Sequence, residues 1–126
     1  YITILFDLIY HIILFYNNIK IAGLSNNINV FKGDSANVLA DMIFENNIKF
    51  DFIYIDASHT LFDSYTDLIL SFNLLNKGGI LGIDDYTFNQ NIIFESPFLG
   101  VNYFLEKFKD KIIVLDKDYR VFIEKI

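Results

Sequence analysis

The sequence predicts a doubly wound α/β sheet, and three observations support this prediction. Short apolar runs alternate with longer segments of helical periodicity along most of the chain. The run Phe50–Ile55 is apolar on both faces, which is typical of parallel sheets that are covered on both sides. Two final runs, Ile112–Leu115 and Arg120–Glu124, flank a turn-like Asp-Lys-Asp-Tyr and predict an antiparallel hairpin. We therefore expect a mostly parallel sheet that closes with a C-terminal hairpin.

Composition limits the classes of protein that this chain can belong to. Its 126 residues suffice for one domain, residues 1–126, and 53% of them are hydrophobic, which supplies a core. The formal net charge of −6 disfavours a general nucleic-acid binder, which needs a basic face. The absence of cysteine removes disulfides and thiolate metal sites and agrees with a cytoplasmic protein.

The N-terminal apolar run does not predict a membrane segment. It is shorter than the roughly 20 residues that a membrane span needs, and it contains Asp7 and His11. The chain starts at Tyr1 within this run. We expect from this that the sequence is a fragment of something longer, without a membrane partner.

The first half of the chain predicts two strand–helix units. Ile2–Phe6 reads as a buried strand, and Leu8–Ala22 reads as a helix that Gly23 ends in a left-handed conformation. Ile28–Phe31 predicts a second strand. Asn37–Glu45 predicts a short helix with one apolar face.

The second half adds two more helices around further strands. The helix Thr60–Leu75 has the clearest apolar stripe, and Thr60 with Asp63 predicts a capping box at its start. The sequence Asn-Lys-Gly-Gly is expected to end that helix before a strand at Ile80–Ile83. Val101–Phe108 predicts the last helix, which precedes the hairpin.

Acidic residues follow the ends of four predicted strands: Asp7, Asp34, Asp56, Asp84 and Asp85. Because the carboxyl ends of parallel strands line one edge of a sheet, these acids are expected at one rim, where such folds bind ligands. A single Asp there is also common as a helix cap. Asp56 and the adjacent Asp84 and Asp85 repel one another unless a cation or a shared proton relieves them. Carboxylates suit Mg²⁺ or Ca²⁺, so the cap and the metal site both stay open.

The stretch "FDFIYIDASHTLFDSYTDLILSFNLLNKGGILGIDDYTF" resembles the second half of a class I S-adenosylmethionine-dependent methyltransferase. It is most similar to small-molecule O-methyltransferase-like families with D-x-S-H, GG and DDY motifs. Residues 6–39 and 101–126 resemble the flanking parts of the same Rossmann-like domain. The resemblance implies a methyltransferase that uses S-adenosylmethionine, with Mg²⁺ as a candidate metal, and transfers a methyl group to an oxygen of a small molecule or sugar.

The resemblance also implies roles for individual residues. The cofactor-binding positions would be Asp7 for the ribose, Asp34 and Ser35 for the adenine, and Asp56 near the methionine part. The metal ligands would be Asp56, Asp84 and Asp85. His59, with Asp56, would be catalytic, because a neutral imidazole can orient the acceptor or take its proton.

The sequence departs from this family in one respect: it has no glycine-rich turn after a first strand. The first strand and helix of the family are expected to be missing, which would leave two exposed strand edges. The enzyme would then be truncated, with the activity of the chain alone left open. The alternative is a non-catalytic α/β remnant, or an assembly partner that completes its sheet with another chain, including a copy of itself. A nucleotide-sugar or dinucleotide enzyme on a similar sheet is a third reading, and its glycine fingerprint is also absent.

Overall fold

Strands and helices alternate along the chain, as the sequence predicts. The computed structural model describes residues 2–4, 9–45 and 48–126, with the backbone alone for residues 2–4 and 9–12. The strands are β1 (Ile2–Ile4), β2 (Ile28–Val30), β3 (Phe50–Ile55), β4 (Leu75–Ile83), β5 (Ile112–Lys117) and β6 (Val121–Lys125). The helices are α1 (Ile9–Ile21), α2 (Ser35–Glu45), α3 (Leu61–Leu74) and α4 (Phe98–Phe108), with 3-10 turns at Ile93–Glu95 and Lys109–Lys111. None of the helices in the described part is long and apolar enough to cross a membrane.

The strands pair in the directions expected for a parallel sheet with a closing hairpin. β1 pairs with β2 and β3 pairs with β4, both in parallel. β6 lies antiparallel between β4 and β5, so the larger sheet has the order β3-β4-β6-β5. Within residues 2–4, 9–45 and 48–126, β1 and β3 each have a neighbouring strand on one side. The strands therefore form a sheet of two and a sheet of four.

The main core lies between the four-stranded sheet and helices α3 and α4. Leu68, Phe104, Leu81, Val121 and Ile123 are completely buried there. The apolar stripe on α3 that the sequence predicts therefore faces the sheet. On its other side α3 packs against α2, where Leu39, Met42 and Leu74 form a second cluster. The burial of apolar surface from three directions makes α3 the central helix of the domain.

The start of α3 is capped as the sequence predicts, with one difference. Thr60 has the extended backbone of an N-cap, and its hydroxyl oxygen accepts a 3.2 Å hydrogen bond from the Asp63 N–H. The Asp63 carboxylate does not complete a reciprocal capping box. It accepts a 2.7 Å hydrogen bond from the Ser58 hydroxyl instead. This bond ties the loop after β3 to the first turn of α3.

The end of α3 differs from the sequence-based expectation. Asn-Lys-Gly-Gly was expected to separate the helix from a strand beginning at Ile80, but β4 begins at Leu75, where the helix ends. Leu75 is buried and pairs with Phe50, and the ladder resumes where Phe52 faces Ile80. The residues between form an irregularity inside β4, and Gly78 takes the positive φ of 78° that this requires.

The face of the larger sheet opposite α3 is aromatic. Phe52 and Tyr54 alternate with the core-facing residues of β3, and their rings stack with centroids 6.4 Å apart. Tyr54 also lies 6.2 Å from the ring of Phe122 on β6. Gly82 on β4 permits this contact, because a Cβ there would come within 2.7 Å of both rings. The Tyr54 ring therefore lies over Gly82 of β4, the strand that Asp84 follows.

Candidate active site

Two of the predicted acidic strand ends meet at one edge of the larger sheet. Asp56 directly follows β3, and Asp84 and Asp85 directly follow β4. The Asp84 N–H donates a 2.9 Å hydrogen bond to the Ile55 carbonyl, which extends the parallel pairing by one step. Because the two strands run in the same direction, their carboxyl ends bring these acids side by side.

Asp56, His59 and Asp85 form a compact group of possible ligands. One side-chain atom from each lies within 4.8 Å of the others. His59 Nε2 is 2.7 Å from Asp85 Oδ2, and the His59 ring lies 4.7 Å from the ring of Phe88. Asp85 has a φ of 52°, a left-handed conformation that Asp tolerates better than most residues. The imidazole is thus held between a carboxylate and an aromatic ring.

The Asp84 carboxylate has three donors of its own. Oδ2 accepts a 2.6 Å hydrogen bond from the Tyr54 hydroxyl. Oδ1 accepts bonds from Arg120 Nε at 3.0 Å and from the Asp85 N–H at 2.9 Å. Burial tends to raise the pKa of Asp84, but these hydrogen bonds and the Arg120 charge outweigh it, and the pKa lies below its ordinary value. Burial, with the Asp84 carboxylate beside it, raises the pKa of Tyr54 to about 12.

The turn between β5 and β6 holds both adjacent acids. The Tyr119 hydroxyl donates a hydrogen bond to Asp85, and the next residue, Arg120, binds Asp84. The Tyr119 carbonyl also accepts a 2.9 Å bond from the Tyr86 N–H. No sequence pattern identified Tyr54, Tyr119 or Arg120 as residues of the site. β6 pairs with β4 so that Val121 faces Ile83, and this places Arg120 beside the end of β4. The register between these two strands is the feature from which Arg120 could have been identified as a site residue.

The segment predicted to contact the adenine makes structural hydrogen bonds. Asp34 caps α2, because its Oδ1 accepts a 3.2 Å bond from the Asn37 N–H. The Ser35 hydroxyl lies 2.9 Å from each carboxylate oxygen of Asp67, a buried residue of α3. Burial raises the pKa of Asp67 above its ordinary value. Asp7, the residue predicted to bind ribose, lies outside the described residues.

The donor set around His59 fits a divalent cation. Two carboxylates and an imidazole combine oxygen and nitrogen ligands, which suit several divalent metals. Of the three predicted ligands, the structure places Asp56 and Asp85 in this group together with His59. Asp84 lies next to them but directs its carboxylate to Tyr54 and Arg120. Tyr86, which follows these acids, is buried and stacks on Phe98 with the centroids 5.0 Å apart.

The fold and this rim define an α/β protein whose candidate ligand site lies beyond the carboxyl ends of parallel strands, where such folds bind ligands. The model of the O-methyltransferase family matches residues 10–126. The chain belongs to this family. No curated protein sequence matches it significantly.

Solved structures share the fold at low sequence identity. An O-methyltransferase from Bacillus cereus in complex with SAH is 18% identical, with a TM-score of 0.76, and the match covers 98% of this chain and 62% of that one. SAH-bound methyltransferase PaMTH1 from Podospora anserina is 15% identical, with a TM-score of 0.67 and coverages of 98% and 60%. MycE methyltransferase from the mycinamycin biosynthetic pathway, in complex with Mg and SAH, is 19% identical, with a TM-score of 0.61 and coverages of 82% and 33%. The chain therefore spans about three fifths of the first two structures.

Proposed function

We propose that this chain carries the methyl-transfer site of an S-adenosylmethionine-dependent O-methyltransferase that acts on a small hydroxylated molecule. The observation that supports this most strongly is the group of Asp56, His59 and Asp85 at the carboxyl ends of β3 and β4, in a chain that belongs to the O-methyltransferase family. The SAH-bound relatives support the choice of cofactor.

His59 is the candidate for the proton of the acceptor hydroxyl. When Nε2 donates its hydrogen to Asp85, the lone pair of the neutral ring is on Nδ1, which can accept a proton. Asp85 fixes the tautomer and the plane of the ring and stabilises the imidazolium that results. Phe88 packs against the same ring and limits its rotation. The ring is therefore oriented before an acceptor arrives.

The cofactor supplies an activated methyl group, so the chain has to align the attacking oxygen with it. We assign Asp56 to contact the methionine part of the cofactor, on the side of the rim where the methyl acceptor binds. Asp7, Asp34 and Ser35 stay predictions for the ribose and adenine. A divalent cation held by Asp56, Asp84 and Asp85 would bind the acceptor hydroxyl and lower its pKa, while His59 takes the proton.

Binding of S-adenosylhomocysteine to the 126-residue chain, measured by isothermal titration calorimetry, tests the cofactor assignment. We expect saturable binding, and we expect Asp56→Asn to weaken it about tenfold or more, since a hydrogen bond to a charged group is lost. Asp51→Asn is the matched control, because Asp51 lies on the same strand at the end remote from the rim and bonds Asn76. Equal affinities for the two variants would contradict the role of Asp56.

Transfer of a labelled methyl group to a panel of phenols tests the reaction. His59→Gln is expected to lower the rate about a hundredfold or more, as for the loss of a general base, while S-adenosylhomocysteine still binds. If the variant reacts at the full rate, His59 is not the base.

The second candidate function is a non-catalytic α/β protein that completes its sheet with another chain. The single neighbour of β1 and of β3 within the described ranges favours it. A chain that does not bind S-adenosylhomocysteine at millimolar concentration but elutes as a complex or oligomer would fit this candidate and not the enzyme.

A further inference from the structure

The two adjacent acids after β4 have partners of different charge. Asp84 bonds the guanidinium of Arg120, whereas Asp85 bonds the Tyr119 hydroxyl and the His59 ring. We propose that Arg120 occupies Asp84 in the place of a divalent cation, so that Asp84 becomes a metal ligand only when Arg120 leaves it. The inference rests on the cation site of the proposed function and does not depend on methyl transfer.

The hydrogen bonds of Asp84 support this competition. Both carboxylate oxygens accept bonds: Oδ1 from Arg120 and the Asp85 N–H, and Oδ2 from the Tyr54 hydroxyl. The Asp84 side chain is 14% exposed, so a positive charge beside it stabilises its ionised form in addition to the hydrogen bonds from Tyr54 and the Asp85 N–H. Arg120 provides that charge, and its Nε–H points at an oxygen that a metal would otherwise use.

Arg120 is placed so that it can leave. Its side chain is 54% exposed, so its guanidinium can exchange the carboxylate for water. An ion pair with one exposed partner is a weak restraint. The backbone bond from Tyr86 to Tyr119 keeps the turn in place when the side chain moves. A cation that binds Asp56 and Asp85 would therefore meet a third carboxylate, Asp84, whose bond to Arg120 is broken by movement of the arginine side chain.

Competition between Arg120 and a cation predicts a change in cation affinity that is opposite in direction to the change expected from a loss of structure. Replacing Arg120 with a neutral residue releases Asp84 Oδ1 from the guanidinium and removes one positive charge next to the cation group, so the affinity for a divalent cation should increase. Loss of structure in the same variant would decrease it. An increase therefore separates competition from a merely structural role of Arg120.

Mn²⁺ binding to the 126-residue chain, measured by electron paramagnetic resonance of the free ion, tests the proposal. We expect Arg120→Gln to bind Mn²⁺ about fivefold more tightly than the unmodified chain. Lys109→Gln is the matched control, since it removes the same charge from an exposed residue that pairs with Glu106 away from the rim. It should leave the affinity unchanged. Arg120→Lys keeps the positive charge and should stay close to the unmodified chain.

A second variant identifies the acid that is released. Adding Asp84→Asn to Arg120→Gln should cancel the gain, while far-UV circular dichroism shows that both variants are folded. The proposal is overturned if Arg120→Gln binds Mn²⁺ equally or more weakly, if the double variant keeps the gain, or if no variant binds Mn²⁺ saturably. Failure to bind S-adenosylhomocysteine, with the Mn²⁺ results as expected, would remove the proposed function and leave this inference intact.

Discussion

Replacement of Gly100 by Ala should destabilise the domain, although Ala is the better helix former. Gly100 is buried in α4 where that helix crosses the start of α3. A Cβ at this position would lie 2.6 Å from the Leu61 carbonyl oxygen and 3.3 Å from the Tyr65 nitrogen. Ordinary carbon–oxygen contacts are about 3.3 Å or longer, so the helices would have to separate by roughly 0.7 Å.

Two opposing effects determine the size of the change. The substitution gains about 1 kcal/mol of helix propensity. Over-packing of a close contact costs typically about 1–3 kcal/mol, and here the obstacle is backbone of α3 rather than a flexible side chain. We expect the cost to prevail by about 1 kcal/mol, because α3 packs against the sheet and α2 and cannot shift freely.

Urea denaturation followed by circular dichroism measures this change as a lower transition midpoint at an unchanged slope. Tyr103→Ala is the control on the same helix, since Tyr103 is 63% exposed and its replacement should change stability by about 0.5 kcal/mol or less. A Gly100→Ala chain that is as stable as the unmodified chain, or more stable, would show that the contact between α4 and α3 is not over-packed.

Three further predictions concern the polar groups around α3 and the rim. Burial raises the pKa of Asp67, so the folded chain loses stability as the pH rises through that pKa and the buried carboxyl group ionises. In Asp67→Asn this loss should be absent from urea transition midpoints measured between acid and neutral pH. A variant that shows the same pH profile as the unmodified chain would refute this. Asp84→Asn should lower the pKa of Tyr54 from about 12 in an ultraviolet titration of the tyrosines, because a neighbouring negative charge is lost. An unchanged late-titrating tyrosine would show that burial alone is responsible. Thr60→Ala should cost about 1 kcal/mol in urea denaturation through the lost cap, whereas Thr66→Ala, in the exposed middle of α3, should cost less, and equal losses would contradict the cap.

The fold could be predicted largely because its signals are local. The strand β3 has the predicted bounds, and the Thr60 cap and the apolar stripe of α3 were visible as short-range patterns. The start of β4 was wrong, because Leu75 is fixed by its pairing with Phe50, a contact between distant residues that no local pattern contains. The α4 helix begins at Phe98, after Pro97, instead of at Val101, since proline is compatible with a helix start.

The position of the site could be predicted from the sequence, but the hydrogen bonds of the predicted residues could not. Parallel strands required Asp56 and Asp85 to come together, and the structure shows this. The expected role of Asp34 and Ser35 in cofactor binding stays a prediction, since their observed bonds are a helix cap and a contact with Asp67. These bonds depend on how α2 packs against α3, which sequence periodicity does not specify.

The sequence predicts a metal because adjacent acids at a strand end repel one another. The structure shows that a basic side chain relieves part of this repulsion. Antiparallel pairing of Ile83 with Val121 makes the residue after β4 face the residue before β6, which brings Arg120 to Asp84. A positive charge from the chain itself can therefore meet part of the requirement that a cation would meet. An acid pair after one strand thus indicates a metal site more strongly when the register of the next antiparallel strand places no basic residue beside it. Here the register does place one, and this is why Arg120 decides how many carboxylates the rim can offer to a cation.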